Sequence, residues 1–293
     1  MQNIRDEPKW SGHRCLVAIF AIVIKFMWTS KGEKAVVEEK LVKTKKYSLP
    51  YFDFGNGDKT FILLPGASMT SILDSEDGIK NLFAPYSDEY HIYVFDAPQN
   101  LDSVASIEQY ADIIADAANA LGIKEADVYG ASMGGMIAQK LAIRHPGLVS
   151  TLSLASSMSR NSELSTEVVS KWAEVSDPEG LAREVNIHVY SEEFYATYID
   201  VFHALESSAN EDGVKRLHNL TRMIKDFSTY DELDSIKCPV YVYVGSKDNT
   251  LGVDASIEIA EKLNCFIKVY DGYSHAVYDE YPNFYDDVFA NLE

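Results

Sequence analysis

Short apolar runs and amphipathic segments alternate along most of this chain. Thr60-Phe61-Ile62-Leu63-Leu64, Val240-Tyr241-Val242-Tyr243-Val244 and Phe266-Ile267-Lys268-Val269-Tyr270 are rich in β-branched and aromatic residues, the form of buried strands. Residues 91–95, 126–129 and 151–154 have the same character. Between these runs the period lengthens to that of a helix. In residues 106–121, Ile107, Tyr110, Ile113, Ile114 and Ala117 share one helical face; Ser106 stands where a cap is needed and Gly122 where the helix must end. Residues 79–86, 133–145, 253–263 and 283–291 predict further helices. Strands that alternate with helices predict an α/β fold with a mostly parallel central sheet flanked by helices. Residues 47–54 and 60–64, joined by Gly55-Asn56-Gly57-Asp58, read as an antiparallel pair leading into that sheet.

The alternation stops between Leu154 and Val240. Residues 157–228 read as helices instead, broken at Asp177-Pro178 and around Asn210. Trp172, Tyr190, Phe194, Tyr195, Tyr198 and Phe202 fall in this stretch. Singly, such aromatics pack a small helical unit; together they predict an apolar roof on a pocket, with Trp172 and Tyr198 as candidate lining. The division expected is an N-terminal apolar segment at 1–30, a core in two parts at 31–156 and 229–293, and the helical insertion at 157–228.

The N-terminal segment changes the picture of where the protein works. Cys15 to Ile24 is an unbroken apolar run, Lys25 interrupts it, and Phe26-Met27-Trp28 resume. Residues 15–28 would span about 21 Å as a helix, short of a hydrocarbon core of about 30 Å. A signal-peptide core or a short membrane tether fits better, with Arg5, Lys9 and Arg14 as the positive flank, although Asp6 and Glu7 dilute it and no A-x-A cleavage site follows. A helix packed on the body of the protein and a misassigned start are the other possibilities. Membrane association or export is therefore expected ahead of a cytoplasmic location.

A net charge of −19 argues against nucleic-acid partners and against electrostatic docking on anionic membranes. Its simplest consequence is solubility. Apolar content of 46% with 24% charged residues is that of a globular protein rather than a disordered one. The three cysteines make no disulfide framework; Cys238 and Cys265 stand at the starts of neighbouring predicted strands, where a bridge is conceivable and reduced, buried thiols are expected.

The candidate chemistry sits in the loops that follow the strands. Gly130-Ala131-Ser132-Met133-Gly134, with Gly135 behind it, joins a buried strand directly to a helix. This is the G-x-S-x-G nucleophile elbow, in which the glycines leave room for a sharply turned serine and the helix N-terminus favours negative charge. Pro65-Gly66-Ala67-Ser68, Gly245-Ser246-Lys247-Asp248 and Asp271-Gly272-Tyr273-Ser274-His275 each follow another predicted strand. Ligands bind at that end of parallel strands in open α/β sheets. Serine, acid and histidine then follow the early loop in chain order.

On these residues the chain resembles the α/β-hydrolase superfamily, in particular its single-domain esterases, lipases and C–C hydrolases. The match covers roughly residues 47–293 and is most telling in Gly130–Pro146 (GASMGGMIAQKLAIRHP) and Ser274–Pro282 (SHAVYDEYP). The tail has Ser274 where the family's ending has glycine, and it keeps Glu280 and Pro282. The early loop has Pro65-Gly66 where family members usually carry His-Gly. The resemblance implies an α/β-hydrolase fold whose helical insertion caps the active site, and an oxyanion hole formed by the backbone N–H groups of Ala67 and Met133, with Ser68 as a further candidate contact.

Ser132 is the candidate nucleophile and His275 the candidate base, the one histidine of seven that follows the last predicted strand. Asp248 takes the orienting role, because the alternative acid position, Ala155-Ser156-Ser157-Met158-Ser159, carries no carboxylate. Asp271 is expected to be solvated or to cap its turn, and Asp96 to stabilise the loop after residues 91–95. No metal cluster, phosphate-cradling loop or dinucleotide fingerprint competes, so no cofactor is expected. The leading expectation is a serine hydrolase acting on a small-molecule carboxylic ester of apolar character. A C–C hydrolase, thioesterase, acyltransferase or hydroxynitrile lyase on the same triad, or a non-catalytic binding protein on the same fold, are the alternatives.

Overall fold

The computed structural model describes residues 40–292. The expected apolar segment at 1–30, with its tether at 15–28, lies outside the described residues. Among these, no helix is long and apolar enough to cross a membrane.

Eight strands form one sheet: β1 (Lys40–Lys43), β2 (Ser48–Phe54), β3 (Lys59–Leu64), β4 (Tyr90–Phe95), β5 (Ala126–Ala131), β6 (Val149–Ala155), β7 (Val240–Gly245) and β8 (Phe266–Tyr270). Their order is β1-β2-β4-β3-β5-β6-β7-β8. The β1–β2 and β2–β4 pairs are antiparallel and all the others parallel. The central helices are α1 (Glu76–Phe83), α2 (Ile107–Ala120) and α3 (Met133–Arg144). The insertion between β6 and β7 supplies α4 (Glu163–Glu174), α5 (Pro178–Val189), α6 (Glu192–Thr197), α7 (Ile199–Ser207) and α8 (Glu211–Lys225). The chain then closes with α9 (Val253–Leu263), α10 (Val277–Glu280) and α11 (Phe284–Phe289).

One expected pairing is corrected. β2 and β3 run in opposite directions but are not neighbours, because β4 lies between them, with Phe52 opposite Val94 and Phe61 opposite Ile92. The Asn56 amide donates to the Ser87 carbonyl at 2.9 Å and the Lys59 amide to Glu89 at 3.2 Å, so the glycine-bearing link crosses the start of β4 instead of closing a hairpin. Turn chemistry encodes the reversal of direction. It does not encode which strand fills the lane beside it.

Side-chain alternation along the strands divides the core. Phe61, Leu63, Tyr129 and Tyr243 pack with Phe83 of α1 and with Phe284, Val288 and Phe289 of the C-terminal helix. Ile62, Leu64, Val128 and Val242 pack on the other face with Ile113, Leu141 and Ile259. Within the insertion, the sequence breaks are helix caps. Asp177 accepts from the Gly180 amide ahead of Pro178, and Asn210 accepts from the Gly213 amide at 3.0 Å. Cys238 and Cys265 are free and half-buried, and burial pushes the Cys238 thiol up to about 11, which leaves it unreactive at neutral pH.

Candidate active site

The sheet order places the C-terminal ends of β3, β5, β6, β7 and β8 along one edge, and the loops there carry the candidate residues. Ser132 is the residue between β5 and α3, at φ 52° and ψ −119°. A non-glycine residue held there is strained by about 1–3 kcal/mol, so its surroundings must impose the conformation. They do so from both sides. The Ser132 amide donates to the Ala155 carbonyl at 2.8 Å, and its own carbonyl accepts from Ser157 Oγ at 2.9 Å and from the Gly135 amide at 3.0 Å. The flanking glycines are required by space: a Cβ on Gly130 would lie 2.4 Å from the Gly134 carbonyl oxygen, and one on Gly134 would lie 2.0 Å from that of Leu64. The serine is half-buried.

The loop after β3 lies against this elbow, close enough that a Cβ on Gly66 would come within 3.2 Å of Ser132 Cβ. Met133 is the first residue of α3, so its N–H is one of those that intrahelical bonding leaves open. The Ala67 amide likewise has no acceptor among the described residues. Ser68 Oγ is engaged within its own loop, accepting from the Thr70 amide at 3.1 Å.

On the far side of β6, His275 and Asp248 form a buried pair, 2% and 5% exposed, with His275 Nδ1 at 2.8 Å from Asp248 Oδ2. The other carboxylate oxygen accepts from the Thr250 and Leu251 amides at 2.9 Å each and from Gly252 at 3.4 Å. Burial by itself would raise the Asp248 carboxyl, but the adjoining imidazole and the amide cradle outweigh it and hold the group below the ordinary carboxylate range. An ionised carboxylate only accepts hydrogen bonds, so Nδ1 carries a proton toward it, and in the singly protonated form of the ring Nε2 is the acceptor. Asp271, by contrast, is exposed and accepts from Ser246 Oγ at 3.2 Å, away from the imidazole. The structure thus brings Asp248 and His275 into contact and Gly66 onto Ser132; among the described residues it forms no hydrogen bond between the Ser132 hydroxyl and His275.

The insertion reaches both loops of the His–Asp pair through its α5–α6 junction. Thr250 Oγ1 donates to the His188 carbonyl at 2.9 Å. The Ala276 amide donates to the Val189 carbonyl at 2.9 Å, and Ser274 Oγ lies 2.7 Å from that same oxygen. Glu280, buried, accepts from the Ser191 amide at 2.6 Å and sits 2.7 Å from Ser274 Oγ. Ser274 and Glu280, noted in the sequence only as a departure and a match in the C-terminal tail, therefore fasten the insertion to the histidine loop.

Trp172 is buried with Val168, Leu181, Val214 and Leu217, and Ala67 and Met69 pack against this cluster. Its Nε1 has no acceptor among the described residues. Tyr198 lies in a separate aromatic cluster, 4.7 Å from the Phe194 ring and joined by Phe202. Arg216 of α8 carried no signal in any motif. It pairs with the buried Asp96 and donates from Nε to the Ser68 carbonyl at 3.2 Å. The one available hint was a cation on an apolar helix face, next to Val214, Leu217 and Leu220.

Comparison with known proteins agrees with this architecture. A family model described as the alpha/beta hydrolase fold matches residues 59–282. No curated protein matches the sequence. Among solved structures, an α/β-hydrolase enzyme from a Medee basin deep-sea metagenome library superposes with a TM-score of 0.77 at 17% identity, covering 86% of this chain and 96% of that one. The enol-lactonase from Burkholderia xenovorans LB400 gives 0.73 at 18% identity, with 86% and 98% covered. A thermophilic esterase from Thermogutta terrifontis gives 0.71 at 21% identity, with 87% and 98% covered. At these identities the likeness is one of fold.

Proposed function

The chain belongs to the α/β-hydrolase family, and from that premise we propose that it is a serine hydrolase cleaving a carboxylic ester of apolar character through an acyl-enzyme. The observation that carries this proposal is the buried His275–Asp248 pair at 2.8 Å, on the same sheet edge as a serine held at φ 52°. A protein that only binds a ligand has no use for a desolvated base with a fixed tautomer or for a strained serine.

In the proposed reaction, Ser132 Oγ attacks the ester carbonyl while His275 Nε2 takes its proton. The alkoxide that develops is held by the Ala67 and Met133 N–H groups. The imidazolium, stabilised by Asp248, returns the proton to the departing alcohol oxygen, and the C–O bond breaks. Water then attacks the acyl-serine with the same histidine as base, releasing the acid and restoring Ser132. The helical insertion acts as the cap. Its Trp172 cluster, packed against Ala67, supplies an apolar wall for the acyl or alcohol group.

The test is labelling of the purified protein with a fluorophosphonate, followed by peptide mapping, together with hydrolysis of p-nitrophenyl esters of increasing chain length and of a simple lactone. Phosphonylation of Ser132 and turnover of at least one ester are expected. An unlabelled Ser132, or turnover that survives Ser132→Ala, would refute the proposal.

A further inference from the structure

The loop that carries Ala67 lacks the histidine its family usually places before the glycine, and Pro65 in that position has no N–H to offer. Something else must fix the direction of the Ala67 amide. The loop is held instead from a distant part of the chain. Arg216, in the last helix of the insertion, donates from Nε to the carbonyl of Ser68, the residue that follows Ala67. Its other face pairs through a terminal nitrogen with Asp96, just past the end of β4. Asp96 is 3% exposed and uses its second oxygen to accept from Ser71 Oγ at 2.7 Å. The Ser68 carbonyl and the Ser71 hydroxyl are therefore both bound to one ion pair, whose carboxylate is buried and whose guanidinium is half-buried. Val214 and Leu217, flanking Arg216 on α8, belong to the apolar cluster on which Ala67 and Met69 pack.

We propose that Arg216 and Asp96 are positioning residues for the oxyanion hole, so that the insertion sets the geometry of the reaction as well as covering the substrate. The proposal rests on the reading of Ala67 as an oxyanion donor. The chemistry supports a positioning role over a merely cohesive one. A guanidinium is a planar fork whose donors have fixed relative directions, and here one edge is fixed by a buried carboxylate while Nε orients a backbone carbonyl. The Ser68–Met69 peptide plane is thereby held, and through the few backbone dihedrals that separate it from Ala67 it restrains the stretch of loop that aims the Ala67 N–H. A lysine at this position keeps the charge pair but cannot hold both acceptors in set directions. An amide donor displaced by about 1 Å from a developing oxyanion costs up to about 10²-fold in rate while leaving ground-state binding little changed.

The experiment uses the full chain with Arg216→Lys, Arg216→Met, Arg216→Ala and Asp96→Asn, and p-nitrophenyl acetate as substrate. Three quantities are read: kcat, KM, and the inhibition constant of an alkyl boronic acid, whose adduct with a nucleophilic serine puts a tetrahedral oxygen where the oxyanion forms. We expect kcat to fall about 10- to 100-fold in each variant, KM to change by less than about threefold, and boronate affinity to fall in step with kcat/KM. Guanidinium ion at a concentration that leaves the parent enzyme unaffected should restore part of the activity of Arg216→Ala. A kcat within about twofold of the parent, a loss confined to KM, or an unchanged boronate constant would overturn the proposal. If Arg216→Met fails to fold, Arg216→Lys and Asp96→Asn decide by the same readings. Failure of the hydrolase reading looks different: the unsubstituted protein itself would then neither turn over esters nor take a fluorophosphonate on Ser132.

Discussion

Under the proposed mechanism, replacing Asp248 by asparagine has an expected outcome whose size follows from the geometry around the carboxylate. The side chain occupies an asymmetric site. One oxygen lies in a cradle of the Thr250, Leu251 and Gly252 amides, and the other meets His275 Nδ1 at 2.8 Å. In the variant only one of the two terminal atoms can accept. Turning the NH₂ group into the cradle would leave at least two buried N–H donors unsatisfied, at about 1–3 kcal/mol each. The amide oxygen therefore stays in the cradle and the NH₂ group faces His275. The imidazole must then accept at Nδ1 and carry its proton on Nε2, the nitrogen that receives the serine proton in the proposed reaction. Restoring the productive tautomer costs about 2–4 kcal/mol, and loss of a charged hydrogen bond to the imidazolium adds about 1.5–3 kcal/mol. The total of about 3.5–7 kcal/mol corresponds to a fall in kcat of about 400- to 10⁵-fold at 1.36 kcal/mol per decade. Steady-state hydrolysis of p-nitrophenyl acetate measures it, with Asp271→Asn as the control that should lose less than about threefold. An Asp248→Asn enzyme within about tenfold of the parent, or a larger loss in Asp271→Asn, would show that this carboxylate does not orient the base.

Ser132→Ala should lower kcat by about 10⁶-fold and abolish fluorophosphonate labelling with the fold intact, whereas Ser132→Gly, equally inactive, should also unfold about 1 kcal/mol later in urea because φ 52° costs glycine nothing. Asp279 gives a stability signature. Burial, with the neighbouring Glu280 adding to it, raises its carboxyl to about 6 against the opposing hydrogen bond from Tyr190. A raised carboxyl pKa means that the native state holds the proton more tightly. Its contribution is complete below about pH 4 and is lost as pH rises through about 6, an effect of at most about 3 kcal/mol. Urea unfolding at pH 4.5 and pH 8 should show the difference in unfolding free energy in the parent and lose it in Asp279→Asn; the same pH dependence in both proteins would argue against a protonated native Asp279. Trp172→Ala should change KM for long-chain esters by more than about tenfold while altering kcat on the acetate ester by less than about threefold, and equal losses on both would mean that the indole only holds the insertion together.

Sequence alone determined what depends on nearest neighbours along the chain. Strand alternation, helix faces, the Ser106, Asp177 and Asn210 caps and the glycine spacing of the elbow are all relations between residues a few positions apart, and they appear in the structure close to the expected places, although the helix expected over 79–86 starts three residues earlier, at Glu76. The order of the loops nominated Ser132, Asp248 and His275 as candidates on one sheet edge, because every parallel strand in one sheet delivers its following loop to the same edge. Tertiary structure decided what depends on which elements meet. The Gly55-Asn56-Gly57-Asp58 turn specified a reversal, yet β4 entered between β2 and β3, since lane order follows from how helices cover the sheet and not from the turn. Trp172 and Tyr198 looked alike as insertion aromatics but fell into different clusters, only one of which touches Ala67. Ser274 and Glu280 gained a structural meaning only when the α5–α6 junction docked on them, and Arg216 only when α8 lay across Asp96. A short-range pattern is written in the dihedral and hydrogen-bonding preferences of adjacent residues; an ion pair between residues 96 and 216 has no such local trace, because its geometry exists only after the two helical layers and the sheet have packed.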